Sequence, residues 1–130
     1  MVVGWFFRCF GKWFPHLGGD LNLTTSAREV WGVNLRLDPL DNFFSGLFDA
    51  AGLVDVTPRK VVPTWRNGRV GDVGISKRID RFLINNHFLE RNFRSKSWTI
   101  NSFILNHNLI YLQLESTDCM SKYPFKFNHA

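Results

Sequence analysis

The segment that most narrows the fold is Asp38-Pro39, followed by Leu40, Phe43, Phe44, Leu47, Phe48 and Ala51 at helical spacing, with Gly52 behind them. Aspartate is a good N-cap, proline suits the first helical position, and glycine adopts the left-handed backbone that closes a helix. The spacing therefore predicts one well-marked helix over 38–52. Around it the runs are short and mostly of β type. Candidate strands cover 17–23, 53–56, 78–84 and 96–104, and another opens at Pro63-Thr64-Trp65. The clearest is 108–115, where Ile110, Leu112 and Leu114 alternate with Tyr111, Gln113 and Glu115. One helix among unevenly spaced strands predicts mixed α/β structure, without the regular alternation of a doubly wound sheet.

The connections are readable too. Residues 24–37 are polar and turn-prone and predict a surface loop. Asn67-Gly68 marks a tight turn into a basic, glycine-containing loop that runs to Lys77. Asn85-Asn86 ends a strand, and 87–93 has room for one helical turn. At the N-terminus, Trp5, Phe6, Phe10, Trp13 and Phe14 surround Arg8 and Lys12, which predicts a short amphipathic helix over 5–14 stopped by Pro15. The expected division is a helical lead-in over 1–16, a folded region over 17–116 and a linker-like tail over 117–130.

At 130 residues the chain has room for one modest domain. Its hydrophobic share of 45% argues against disorder. Thirteen Phe and five Trp must fill a core or leave a surface in search of a partner. The formal net charge of +5 suits a polyanion such as DNA without requiring one. Cys9 and Cys119 have no second pair and no Cys/His spacing near them, so neither a zinc site nor a disulfide framework is expected. Arg8 and Lys12 interrupt the apolar N-terminus before a signal-peptide core can form, and no run approaches the roughly 20 residues of a membrane span.

Four short segments carry potential chemistry. In Gly18-Gly19-Asp20-Leu21-Asn22, at an expected strand end, an Asp and an Asn two apart on one strand would point the same way. Both could then reach one phosphate, the acid to orient a water and the amide to hold a charged oxygen. The same residue types also favour turns. Asp80, in Arg78-Ile79-Asp80-Arg81-Phe82-Leu83, could orient a histidine or could be an exposed charge among surface ion pairs. His107, in Leu105-Asn106-His107-Asn108, could contact a phosphate or be a bystander; His16, His87 and His129 lie in no motif. Pro63-Thr64-Trp65-Arg66-Asn67 sets an aromatic beside a cation, a pairing that can line a nucleic-acid groove.

Taken in order, these segments resemble the second half of the endonuclease/exonuclease/phosphatase superfamily. Its GD-x-N strand end is similar to Gly19-Asp20-Leu21-Asn22, and its T-W-x-N segment to Thr64-Trp65-Arg66-Asn67. Its R-[IL]-D-R-F-L strand is similar to residues 78–83, and its S-D-H box to Leu105-Asn106-His107. Ala51-Gly52-Leu53-Val54-Asp55 also looks like the family. The Thr-Trp-x-Asn form resembles the nuclease of plant LINE-type retrotransposons more than the repair apurinic endonucleases. Residues 123–130 are similar to the linker that precedes reverse transcriptase in those polyproteins.

The resemblance implies a two-sheet α/β sandwich of the deoxyribonuclease-I type, truncated at its N-terminus, and Mg²⁺-dependent hydrolysis of phosphodiesters. It implies that Asp20 positions the attacking water, Asn22 stabilises the phosphate oxyanion, Asp80 orients His107, and His107 contacts the scissile phosphate. Trp65, Arg66, Asn67 and Arg78 would face the nucleic acid, and a retroelement nuclease would act on DNA in the nucleus. Two departures weaken the metal site. The family's metal-binding glutamate comes from the first half, and none of this chain's glutamates, Glu29 included, stands in a matching motif. Asn106 stands where the family has a metal-holding Asp, and a neutral amide lacks that attraction. The expectation is a nuclease fragment inactive by itself, with exposed sheet edges open to another chain. The alternative is a basic, non-enzymatic module that binds nucleic acid or a protein partner.

Overall fold

The structure is a computed structural model that describes residues 2–9, 12–33, 38–90 and 93–116, with backbone only up to residue 15. The elements run β1 (Val2–Cys9), β2 (Lys12–Asp20), β3 (Val30–Trp31), α1 (Asp41–Ala50), β4 (Leu53–Asp55) and β5 (Trp65–Arg66). They continue with β6 (Ser76–Lys77), β7 (Asp80–Asn85), α2 (Asn86–Leu89), β8 (Phe93–Ile100) and β9 (Leu109–Ser116). Mixed α/β structure is thus observed, with several antiparallel sheets and few helices. The expected tail beyond 116 lies outside the described residues.

The described residues form three sheets. The largest has the order β1-β2-β7-β4, a second the order β3-β6-β5, and β8 pairs with β9 alone. All the named pairings are antiparallel. The expected helix over 5–14 is not formed. Residues 2–9 pair instead with 12–19 in a hairpin, so that β2 begins well before Leu17. The aromatic residues 5–7 and 13–14 are as suited to strands as to helices, and β2 has a second partner in β7 to extend from.

The 38–52 segment is helical, but α1 starts later than expected. Leu40, not Asp38, holds the N-cap position. The Asp38 carboxylate accepts the Leu40 N–H at 3.1 Å, and its carbonyl accepts the Asp41 N–H at 3.1 Å, which makes a turn ahead of the helix. Gly52 closes it as expected, with φ +63°. No α1 residue is buried, and Phe43 and Leu47 are exposed.

The best-covered element is β7, in which Leu83 and Ile84 are fully buried on opposite faces. On the Ile84 face, Val56, Phe88 and Phe93 complete a cluster flanked by Phe82, Leu89, Leu112 and Leu114. Phe88 and Phe93 stack with ring centroids 3.8 Å apart, and His16 meets Phe88 edge-on at 5.1 Å. Burial pushes the His16 pKa down. The alternation read in 108–115 is kept: Leu112 and Leu114 pack on this core while Tyr111 and Glu115 face out.

Over 24–33, where it is described, the expected surface loop of 24–37 is partly buried. Thr24, Glu29 and Val30 are buried, and Val30–Trp31 pairs with β6. Glu29 is drawn in by two arginines. Arg78 donates to Glu29 Oε1 at 2.6 Å and grips Asp55 with both terminal nitrogens at 2.7 and 2.8 Å. Arg81 bonds Glu29 Oε2 and Asp55 Oδ2, each at 2.9 Å. Two cations and two carboxylates thereby close a ring. Burial pushes the Glu29 carboxyl up, but the Arg81 charge and the hydrogen bonds from Arg81, Thr25 and Arg78 outweigh it and leave it below the usual value. Burial likewise opposes charge on Arg78, and Asp55 and Glu29 more than restore it.

Candidate functional site

The antiparallel register of β2 against β7 sets Asp20 directly opposite Asp80. Like charges in that relation repel, and a group placed between them can relieve the repulsion. His107 supplies the contact. Its Nδ1 lies 3.1 Å from Asp80 Oδ2, and its Nε2 lies 3.9 Å from Asp20 Oδ2. An ionised carboxylate can only accept, so Nδ1 carries the hydrogen toward Asp80 and Nε2 is left facing Asp20 and solvent. Ligand atoms of the three residues lie within 4.8 Å of one another, close enough to hold a metal ion.

His107 comes from the β8–β9 connection, and backbone bonds fix it. Its bridge to Trp65 ties the loop to β5, the Arg66 N–H bonds the Asn106 carbonyl at 3.0 Å, and the Asn108 N–H bonds the Thr64 carbonyl at 2.7 Å. Thr64, 1% exposed, also holds the other partner. Its hydroxyl accepts the N–H groups of both Ile79 and Asp80 at 3.0 Å. One buried threonine therefore positions both members of the Asp80–His107 pair. Sequence reading took Thr64 only as a letter of a motif. Its burial between two strands was the missing signal.

An open cleft of about 500 Å³ lies over the cluster. Asp20, Asn22, Trp65 and His107 line it, together with Asp38 and Lys77, to which sequence reading gave no role in a site; Asp80 lies behind, outside the lining. Asn22 reaches it differently from the expectation. It is not on a strand with Asp20, because β2 ends at Asp20. Asn22 takes a left-handed backbone with φ +52°, and its N–H donates to Asp20 Oδ1 at 2.8 Å. A turn that asparagine tolerates replaces the extended register.

Three other assignments change. Arg78, expected at a nucleic-acid surface, is 2% exposed and committed to Glu29 and Asp55. Its neighbour Asp80 is likewise buried, not an exposed strand charge. Asn67 organises its own loop instead of facing a ligand. It donates to the Val73 carbonyl at 2.9 Å and accepts the N–H groups of Arg69 and Ile75 at 3.1 Å. Asn106 is not among the cleft-lining residues; its amide oxygen lies beside Gly68. Arg66 is exposed, and its guanidinium bonds the Ser102 carbonyl at 2.5 Å.

The three glutamates are all placed away from the cleft: Glu29 in the buried ring, Glu90 with His87, and Glu115 with Gln113. Among the described residues no helix is long and apolar enough to cross a membrane. No family model, curated protein or solved structure matches the chain.

Proposed function

We propose that the chain is the C-terminal half of an endonuclease/exonuclease/phosphatase domain of LINE-type retroelement origin, carrying half of a phosphodiesterase site. One observation carries this reading: Asp20, Asp80 and His107, 60 and 27 residues apart in sequence, meet within 4.8 Å, and Asp20 and His107 line an open cleft. The motifs that suggested the family are the ones that converge. A deoxyribonuclease-I-like sandwich would need further strands against the sheets seen here.

In this reading Asp80 holds the His107 ring through Nδ1–H and keeps Nε2 turned to the cleft, where the imidazolium form donates Nε2–H to a phosphate oxygen. Asp20 accepts a hydrogen bond from the attacking water through Oδ2, its Oδ1 being engaged by the Asn22 N–H. Asn22, exposed at the rim, offers its amide to a non-bridging oxygen. The donor set suits a divalent cation in part. A hard ion such as Mg²⁺ takes one or two carboxylates and fills its shell with water and phosphate oxygens, which Asp20 and Asp80 can satisfy and an imidazole cannot. Bound there, it would supply charge neutralisation at the phosphate. With no glutamate in the cleft, binding is weak and the chain alone does not turn over. DNA is the proposed substrate and the nucleus the proposed site of action.

The test is a chimera in which the first half of a family nuclease precedes this chain. It should nick supercoiled plasmid with Mg²⁺, and Asp20→Ala or His107→Ala should remove the nicking. A chimera that unfolds cooperatively yet leaves plasmid intact, or that cuts equally well after either substitution, overturns the reading. Robust nicking by the unmodified chain, lost in Asp20→Ala, would show that the glutamate half is dispensable.

A further inference from the structure

The connection between β8 and β9 does two things at once. It places His107, and it holds three apolar side chains in water: Phe103 is 94% exposed, Ile104 93% and Leu105 58%. Exposed apolar residues scattered singly need no explanation, but three in a row at one tip do. The tip is not loose. Ser102 N–H donates to Asn108 Oδ1 at 2.9 Å, Leu105 N–H to Ser102 Oγ at 3.1 Å, and Asn108 Nδ2 to the Pro63 carbonyl at 2.9 Å. The Arg66 guanidinium clamps the Ser102 carbonyl from β5. A hydrogen-bonded frame that presents a Phe-Ile-Leu tip has little to gain from water.

What faces the tip indicates its partner. Trp65 lines two clefts of about 500 Å³ each: the one over Asp20 and His107, and another shared with Arg66, Asn101 and Phe103. Lys77 lines the first and Arg66 the second, and among the described residues neither makes an ion pair. Two cations on either side of one tryptophan complement a run of phosphates with flat bases between them. An apolar protein face would leave both charges without a counterpart.

Resting on the phosphodiesterase reading, we propose that Phe103-Ile104-Leu105 is a wedge that enters a base step of duplex DNA lying across the two clefts. Side chains of this kind part stacked bases and bend the duplex, and the added contacts of the bent form offset the lost stacking. Opening the step beside the cleft would present the adjoining phosphate to His107. The loop then links recognition of a deformable step to the placement of the bond to be cut.

The experiment uses the full chain and a short duplex with 2-aminopurine in place of adenine. Binding should raise the fluorescence as the base unstacks, and the affinity should fall as salt rises. Phe103→Ser with Ile104→Ser should abolish the rise and weaken binding by about tenfold, as loss of one good stacking contact does. The thermal midpoint should stay unchanged, because both side chains are in water already. Lys77→Gln should lower the salt dependence by about one ion and keep the rise. If the double variant matches the parent in affinity and fluorescence, the wedge is wrong and the phosphodiesterase reading stands. Failure to retain duplex at low salt overturns both. A blue shift of Ile104→Trp on anionic vesicles but not on DNA, or a solution dimer abolished by the double variant, overturns the wedge in favour of a lipid surface or self-contact.

Discussion

The short stretch Arg78–Arg81 contributes charged residues to two sites in opposite states. On one side, Arg78 and Arg81 meet Glu29 and Asp55 in a ring that balances two charges with two, with both guanidinium groups buried. On the other, Asp80 and Asp20 face each other with a single half-exposed histidine between them. The first arrangement is complete and mostly buried, with only Asp55 reaching partly to solvent. The second is short of positive charge and opens to a cleft through Asp20 and His107, where a cation can reach it. Charges that compensate one another build the fold; charges left uncompensated near solvent are available to a ligand.

Breaking the closed ring should have the largest effect. Arg81→Met leaves the buried Glu29 and the partly buried Asp55 with one cation, and should cost about 3–5 kcal/mol of stability by urea unfolding. Replacing the ring's four members together by apolar residues should recover much of that loss, and a failure to recover it would show the ring to be stabilising in itself. Next comes Thr64→Val, which orphans the N–H groups of Ile79 and Asp80 and should cost about 2 kcal/mol, while Thr64→Ser costs far less.

The pH dependence sharpens the contrast. Glu29 titrates lower in the folded chain than in the unfolded one, so its contribution is present above the ordinary glutamate value and is lost as pH falls toward the folded value. Urea midpoints should decline through that acid range, and Glu29→Gln, although less stable at neutral pH, should flatten the decline. His16, also lowered, adds a loss that begins near pH 6.5, where the unfolded histidine takes up a proton. The smallest effect belongs to the open cluster. Asp20→Asn relieves the repulsion of Asp80 and should change stability by less than about 1 kcal/mol, in the stabilising direction. A loss like that of Arg81→Met would mean the cluster is part of the fold's support.

How much of this was legible beforehand follows from the range of the forces involved. The helix over 38–52, its closing glycine and the alternation of 109–115 are local, and the sequence shows them. The N-terminal hairpin was misread because aromatic residues spaced around Arg8 and Lys12 satisfy a helix wheel, while pairing with β7 is a long-range fact. At the site, Asp20, Asp80 and His107 were found through motif order, and the cross-strand register brings them together. Arg78 was assigned to the surface because nothing local reveals that Glu29 and Asp55, 49 and 23 residues away, close around it. Asn67 was misplaced for the same reason on a smaller scale, its partners lying across a loop of eight residues.

The bridge between His107 and Trp65 carries one more consequence. It fastens the imidazole's backbone to the three-stranded sheet, whereas both carboxylates it meets belong to strands of the four-stranded one. The cluster is thus a latch between two sheets, set beside the buried Thr64 hydroxyl that bonds across the same seam. A slip of an ångström or two along that seam would part the imidazole from both carboxylates with every strand still paired, and the Thr64 bonds are what oppose it.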